Sequence, residues 1–302
     1  MDIQHYFIFN PAAGSRNAKD RLQEQLDRLS PVPYTLFITG GVGDAARLTR
    51  EICAQGSDPV RIYACGGDGT LGEVAGGAQG FPHAAVGVWP CGSGNDYTRV
   101  YGGPERFLDI KRQLDAPTVL VDLIRANGQA AINVVNLGLE AQAAAATMLR
   151  FRHTPLLGGK RAYLMGVLDA VTSHLTTECE ITADGELLHE GDLLTASFAS
   201  GQYVGGGFRC APRALNDDGL MEVCAILPLS RLTLIKLLPL YKKGQHFEAP
   251  AFEGRYRYRR AGSVRIRCDR EVALCLDGEI IKGREFGLET LPRAVRFILP
   301  PV

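Results

Sequence analysis

The chain has 302 residues, of which 46% are apolar, 22% charged and 8% aromatic, and its 33 Lys and Arg balance 33 Asp and Glu. That length holds one large domain or two with ample core, and the apolar content excludes disorder. A net charge of zero excludes a strongly basic nucleic-acid binder or an acidic tail as the dominant theme.

The start, MDIQHYFIFNP, has no basic flank and only a four-residue apolar run before Asn10, so it reads as neither signal nor anchor. YFIF (6–9) is a compact strand pattern, and Ala18, Leu22, Leu26 and Leu29 then fall on one helical stripe. YTLFI (34–38) predicts a second strand, Ala45–Ala54 a helix and VRIYA (60–64) a third strand. Short strands separated by helices predict a parallel sheet covered on both faces.

After about residue 118 the period changes. VDLIRANGQ and AAINVVNLG read as two strands joined by an Asn-Gly turn, and 139–175 supplies the only long helical material of this half. ECEIT, LLTASFAS, LMEVCAI, SVRIRC and VALCLDGE alternate with period two, with ADGE (183–186) and CDRE (268–271) as turn signals. The expected architecture is a nucleotide-binding α/β domain with a parallel sheet over 1–118, then a mostly antiparallel β-rich domain over 119–293. A final run, AVRFIL (294–299), is able to return to the first domain. LTLIKLLPLY (232–241) is interrupted by Lys236 and Pro239, falls far short of the ~20 residues of a span, and reads as a core helix. Between 241 and 270 nine Lys and Arg face three Asp and Glu, and their alternation fits the wet face of an antiparallel strand better than an anion-attracting patch.

Cysteines at 53, 65, 91, 179, 210, 224, 268 and 275 make no CxxC pair or zinc spacing and read as small buried hydrophobes in a reducing compartment. The six histidines form no metal spacing, and no GxSxG elbow supports acyl transfer.

The sharpest feature is CGGDGTLGE (65–73), directly after a buried strand. Its glycines let the backbone approach an anion, with amides and a helix N-terminus directed at phosphate. Asp68 beside a polyphosphate needs a divalent cation between them, or a proton to remove from an incoming hydroxyl. Thr70 is placed to hydrogen-bond phosphate, and Glu73 to suit the dipole of the following helix. NPAAGS (10–15) and PCGSGNDYTR (90–99) also follow strands, the latter offering Ser93, Asn95 and Asp96, so three Gly-rich loops define one crevice at carboxyl ends of strands. No complete P-loop or GxGxxG fingerprint is present. In the second half, ALNDDGLMEV is an acidic turn with oxygens enough for a hard cation, or an ordinary Asn/Asp/Gly turn. Glu279, in DGE, reads locally as a solvated hairpin carboxylate.

These motifs, with GGGFRCAPRALNDDGLMEV (205–223) and LDGE (276–279), resemble the diacylglycerol kinase catalytic-domain family, in its bacterial soluble lipid-kinase branch, across nearly the whole chain. GGDGT alone is shared with NAD kinases; the second-half motifs point to lipid kinases. The resemblance implies an NAD kinase/diacylglycerol kinase-like fold and ATP-dependent phosphorylation of a lipid hydroxyl. By the same likeness Asp68, Asp96 and Glu279 are catalytic, Glu279 as proton acceptor. Asn10, Thr39, Gly66, Gly67, Gly69, Thr70, Leu71, Gly72, Ser93 and Asn95 would join Asp68 around the nucleotide; Ser93 stands where the family commonly has Thr. Leu215 and Leu220, through carbonyls, and Asp218 match a structural Mg2+ site, separate from the catalytic Mg2+. A cytoplasmic protein with transient peripheral contact at the inner face of the membrane is implied, without nucleic acid, and a homodimer is compatible. A soluble-metabolite kinase resembling NAD kinase and a non-catalytic nucleotide-binding regulator are the competing readings.

Overall fold

The computed structural model describes residues 3–14, 17–147, 165 and 175–301. In the first half β1 (Gln4–Phe9), α1 (Ala18–Asp27), β2 (Tyr34–Ile38), α2 (Asp44–Ala54), β3 (Val60–Gly66), α3 (Asp68–Ala78) and β4 (Ala84–Pro90) alternate. The four strands lie in the order β4-β3-β1-β2, all parallel. Strict alternation sends Ile8, Ile62 and Val88 to one face, against Ile52 and Val74 of α2 and α3. Phe7, Tyr63 and Trp89 go to the other, against Leu22 and Leu26 of α1. Because both faces are covered, β3 and β4 are buried almost throughout, which is why they read as continuous apolar runs.

A short helix, α4 (Ile110–Leu114), precedes β5 (Thr118–Ala126), β6 (Gln129–Ala131), β7 (Val134–Gly138) and α5 (Leu139–Ala146). Then come β8 (Thr177–Ala183), β9 (Glu186–Leu193), β10 (Thr195–Ala199), β11 (Met221–Ile226), α6 (Arg231–Lys242), β12 (Tyr256–Ala261), β13 (Ser263–Leu276) and β14 (Glu279–Ile298). These strands pair antiparallel, as their period-two patterns require. The expected class, parallel α/β followed by β-rich, therefore holds, but all the described strands join in one sheet. The join is β14, whose last residues lie parallel to β4 with Arg296 opposite Ala85.

Three expectations change. CDRE (268–271) is not a turn between strands: β13 runs through it as a bulge, with register lost between Arg267 and Val272. Before the bulge β13 pairs with β8, and beyond it with β7, so the extra residues bend one strand between two layers of a sandwich. Between the layers pack Ile124, Val135, Ile181, Phe198, Ile266 and Phe286. Residues 139–175 are not the only long helical material of this half, since α6 has 12 residues; much of 139–175 lies outside the described residues. Glu73 does not serve its own helix. Its carboxylate accepts the Gly43 and Ala45 amides at 2.8 and 3.0 Å, capping α2 from α3. All eight cysteines are free thiols, seven of them buried. Among the described residues no helix is long and apolar enough to cross a membrane.

The 215–220 loop is tied to both halves. Asn216 Nδ2 donates to Tyr97 and Tyr101 hydroxyls at 2.9 and 2.7 Å, and its carbonyl accepts the Asp122 amide at 2.7 Å. The fully buried Asp122 carboxylate accepts the Gly219 and Arg293 amides, each at 2.7 Å. Asp122→Ala strands two amides away from water and is expected to lower unfolding free energy by about 3 kcal/mol, checked by urea titration.

Candidate active site

The three glycine-rich segments meet because β1, β3 and β4 are neighbours with carboxyl ends on one side. The Asn10 amide donates to Cys65 O, and its Nδ2 to Thr70 Oγ1 at 3.0 Å, so the first loop is pinned to the second. The amides of Cys91 and Gly92 both donate to Gly66 O, at 3.0 and 3.1 Å, pinning the third. A Cβ on Gly92 would sit 2.4 Å from Gly67 Cα, and one on Gly66 2.3 Å from Thr70 Oγ1. Gly92 is required by contact with backbone and Gly66 by contact with the Thr70 side chain, neither by unusual dihedrals. Gly92→Ala is expected to cost about 1–3 kcal/mol through overpacking of backbone on backbone. Thermal unfolding checks the cost.

Asp68 is the first residue of α3, and its Oδ1 accepts the Tyr97 amide at 3.0 Å. Asp96 is 3% exposed; its Oδ1 accepts Arg99 Nε at 3.0 Å and its Oδ2 the Gly206 amide at 2.8 Å. The position of a Cβ on Gly94 lies 2.9 Å from both Asp68 Oδ2 and Asp96 Oδ2, so the two carboxylates converge over that glycine. Burial raises the Asp68 carboxyl above its ordinary value against the pull of the Tyr97 amide. Burial and the Asp68 charge push Asp96 up to about 7.

The carboxylates come to face each other across the fold through the β13–β14 hairpin. Asp277 and Gly278 both have positive φ, as a two-residue Asp-Gly turn demands. The Asp277 carboxylate accepts the Ile132, Asn133 and Val134 amides at 2.7, 3.2 and 2.9 Å, fastening the hairpin to the start of β7. Glu279 is thereby set beside Gly69, where a Cβ would meet its Oε1 at 3.2 Å. Burial, then the Asp68 charge, push Asp277 up to about 7.

Of the residues expected at the site, Asn10, Gly66–Gly72, Asn95, Asp68, Asp96 and Glu279 thus come together. Asn95 has φ +50° and donates to Gly92 O at 2.9 Å, holding the third loop closed. Ser93 lies in that loop, and the buried Thr39 directly follows β2 with its amide on Phe9 O. Not foreseen were Asp277, Arg99 and Gly206. The Asp-Gly dipeptide signalled the turn, but nothing local shows a turn carboxylate binding a remote strand.

Residues 215–220 lie apart. The Asp218 carboxylate accepts the Leu220 amide at 3.1 Å and forms an ion pair with Arg260, while the Leu215 side chain is exposed. A guanidinium already meets the loop's one engaged carboxylate, and no group of three metal-ligating side chains is found among the described residues. In the Asp68–Asp96–Asp277 cluster Asp96 is paired with Arg99 and Asp277 is taken up by three backbone amides, so Asp68 is the carboxylate that would hold Mg2+ together with phosphate oxygens.

Residues 4–126 match the family model described as "Diacylglycerol kinase catalytic domain", and 133–299 match "YegS C-terminal NAD kinase beta sandwich-like domain". A protein of Serratia proteamaculans named "Probable lipid kinase YegS-like" is 31% identical over 300 residues, 95% of this chain and 92% of its own. One of that name from Pseudomonas fluorescens is 31% identical over 264 residues, 87% of this chain and 84% of its own. A diacylglycerol kinase structure from Bacillus anthracis shares the fold, with TM-score 0.70 at 20% identity over 99% of this chain and 97% of that one.

Proposed function

The chain belongs to the diacylglycerol kinase catalytic-domain family, in the branch of the YegS lipid kinases, and on that premise we propose that it transfers the γ-phosphoryl group of ATP to the hydroxyl of diacylglycerol or a related lipid alcohol. The observation that carries the reading is a shared strand. β7, whose first amide donates to Asp277, runs directly into α5, and α5 lines a small apolar cavity walled by Leu139, Leu194, Ile226, Leu234, Leu237 and Phe252. A soluble dinucleotide has no use for such a wall; a hydrocarbon chain does.

The roles follow from position. The loops at 10–14, 66–72 and 91–96 expose backbone at van der Waals distance and receive the triphosphate. Asp68, with phosphate oxygens, would hold Mg2+, which supplies charge neutralisation of the transferring group. Asp96, fixed by Arg99 and the Gly206 amide, ties the nucleotide loop to the 205–207 turn. Glu279, beside Gly69 at the head of α3, accepts the proton of the attacking hydroxyl. The outer face of α6 presents Leu232 and Ile235, 74% and 61% exposed, while Leu234 and Leu237 turn into the cavity. That helix suits transient contact with a lipid surface.

The test is purified protein with Mg2+, γ-labelled ATP and vesicles carrying a panel of lipid alcohols, with NAD in solution as the competing acceptor. Label in a lipid supports the reading. Label only in NAD, or none despite ATP binding, overturns it.

A further inference from the structure

Asn133 is the residue before β7, is 3% exposed, and joins parts of the fold that are far apart in sequence. Its amide donates to Asp277 Oδ1 at 3.2 Å, beside those of Ile132 and Val134. Its carbonyl accepts the Ser200 and Gly201 amides at 3.0 and 2.9 Å, and its Nδ2 donates to Tyr203 O at 2.9 Å. The side-chain oxygen is buried and has no hydrogen-bond partner among the described residues. An unpaired buried oxygen is destabilising, and a leucine would fill about the same volume without it. What the carboxamide adds is the donor to Tyr203.

Tyr203 leads into a closed turn. Val204 and Phe208 exchange backbone hydrogen bonds of 2.8 Å, and Gly205, Gly206 and Gly207 between them all have positive φ. That turn gives the Gly206 amide to Asp96 Oδ2 at 2.8 Å. On the other side of Asn133 the Asp277 hairpin lies against α3, where a Cβ on Gly72 would sit 2.9 Å from Asp277 Oδ2 and one on Gly69 3.2 Å from Glu279 Oε1. One residue therefore spans from the turn that holds Asp96 to the hairpin that carries Glu279. The neighbouring backbone makes room for it. A Cβ on Gly201 would lie 2.0 Å from Asn133 Oδ1, with Asn133 Cγ and Cα next at 3.1 and 3.5 Å, and the φ of Gly201 is outside the left-handed region. Gly201 is needed for the Asn133 carboxamide and not for its own dihedrals.

We propose that Asn133 is a positioning residue for phosphoryl transfer, which fixes the 203–207 turn, and with it Asp96, relative to the Asp277 hairpin and Glu279. The inference rests on the lipid-kinase reading and deepens it: the nucleotide side and the acceptor side of the reaction are set against each other through this one side chain.

A double-mutant cycle tests this, with Asn133→Ala, Gly201→Ala and both together, assayed on the lipid alcohol that the wild-type protein labels in vesicles, 1,2-dioleoylglycerol being the first probe. Asn133→Ala is expected to lower kcat at least ~10-fold with KM for ATP within about threefold, because the loops that receive the triphosphate are pinned through Asn10 and Gly66 O and not through Asn133. It should also lower Tm by leaving a void. In the double variant the added methyl enters the space the carboxamide left, so Tm is expected to recover in part while kcat stays within about threefold of Asn133→Ala. A merely structural residue gives the opposite, with kcat returning as Tm returns. Gly201→Ala alone drives the carboxamide off Tyr203 and is expected to reproduce the kcat loss, which reads the position even if Asn133→Ala does not fold. A kcat that recovers with Tm, wild-type kcat in either single variant, a loss that falls on KM for ATP, or a double variant whose Tm stays down overturns the assignment and leaves the kinase reading standing. No label in any lipid from the wild-type protein removes both.

Discussion

Asp68→Asn protein is expected to lose at least ~10³-fold in lipid phosphorylation, about 4 kcal/mol of barrier, with its fold intact. The fold survives because an asparagine oxygen can still accept the Tyr97 amide that Asp68 Oδ1 holds at 3.0 Å. The chemistry does not, because a neutral amide holds a divalent cation against polyphosphate far more weakly than a carboxylate and supplies no negative charge beside the attacking hydroxyl. Thermal stability in the absence of nucleotide should stay level or rise, since the substitution removes a buried charge that also acts on Asp96 and Asp277. Paired kcat measurements and melting curves check both halves. Activity within tenfold of wild type would remove Asp68 from the mechanism, and a collapsed melting transition would make it a structural residue.

Sequence legibility followed the range of the interactions. The loops at 66–72 and 91–96 were readable because each needs glycine wherever backbone meets backbone, as at Gly67 and Gly92, and short strand patterns before them set their direction. The parallel and antiparallel halves were readable from period alone. Hidden were features that depend on register between distant strands. The bulge at 268–271 looks like a turn in CDRE because Asp and Arg are common in both; only pairing with β8 on one side and β7 on the other shows a strand changing layers. Glu73 suits the dipole of its own helix on paper, yet in space it reaches the amides of α2. Asp277 and Asn133 look like a turn residue and a strand residue. Each becomes informative only when the fold buries it against distant backbone.

The same burial gives the protein an unusual dependence of stability on pH. Asp96, Asp277, Glu140 and Glu222 are each pushed up to about 7, chiefly by burial, and Asp68 is raised for the same reason. Unfolded, such carboxyls titrate near 4. Between those values the folded chain holds more protons than the unfolded one, so stability falls as pH rises, and their contribution is lost as pH passes through 7. His5 and His246 act in the opposite sense, since burial lowers both, His246 to about 4, and stability from them grows as pH rises to about 6.5. The carboxylates outnumber them. Without nucleotide or divalent cation, Tm is therefore expected to drop by roughly 5 °C or more between pH 5.5 and 8. Asp68→Asn should flatten the curve, because the Asp68 charge is one reason Asp96 and Asp277 resist ionising. Mg2+ should flatten it in the wild type alone, by supplying the countercharge. Melting curves across that range for both proteins, with and without Mg2+, separate the cluster from the histidines. A wild-type Tm that rises with pH would show that burial does not hold these carboxyls near neutrality, and a slope that Asp68→Asn leaves unchanged would show that the Asp68 charge does not add to it at Asp96 and Asp277.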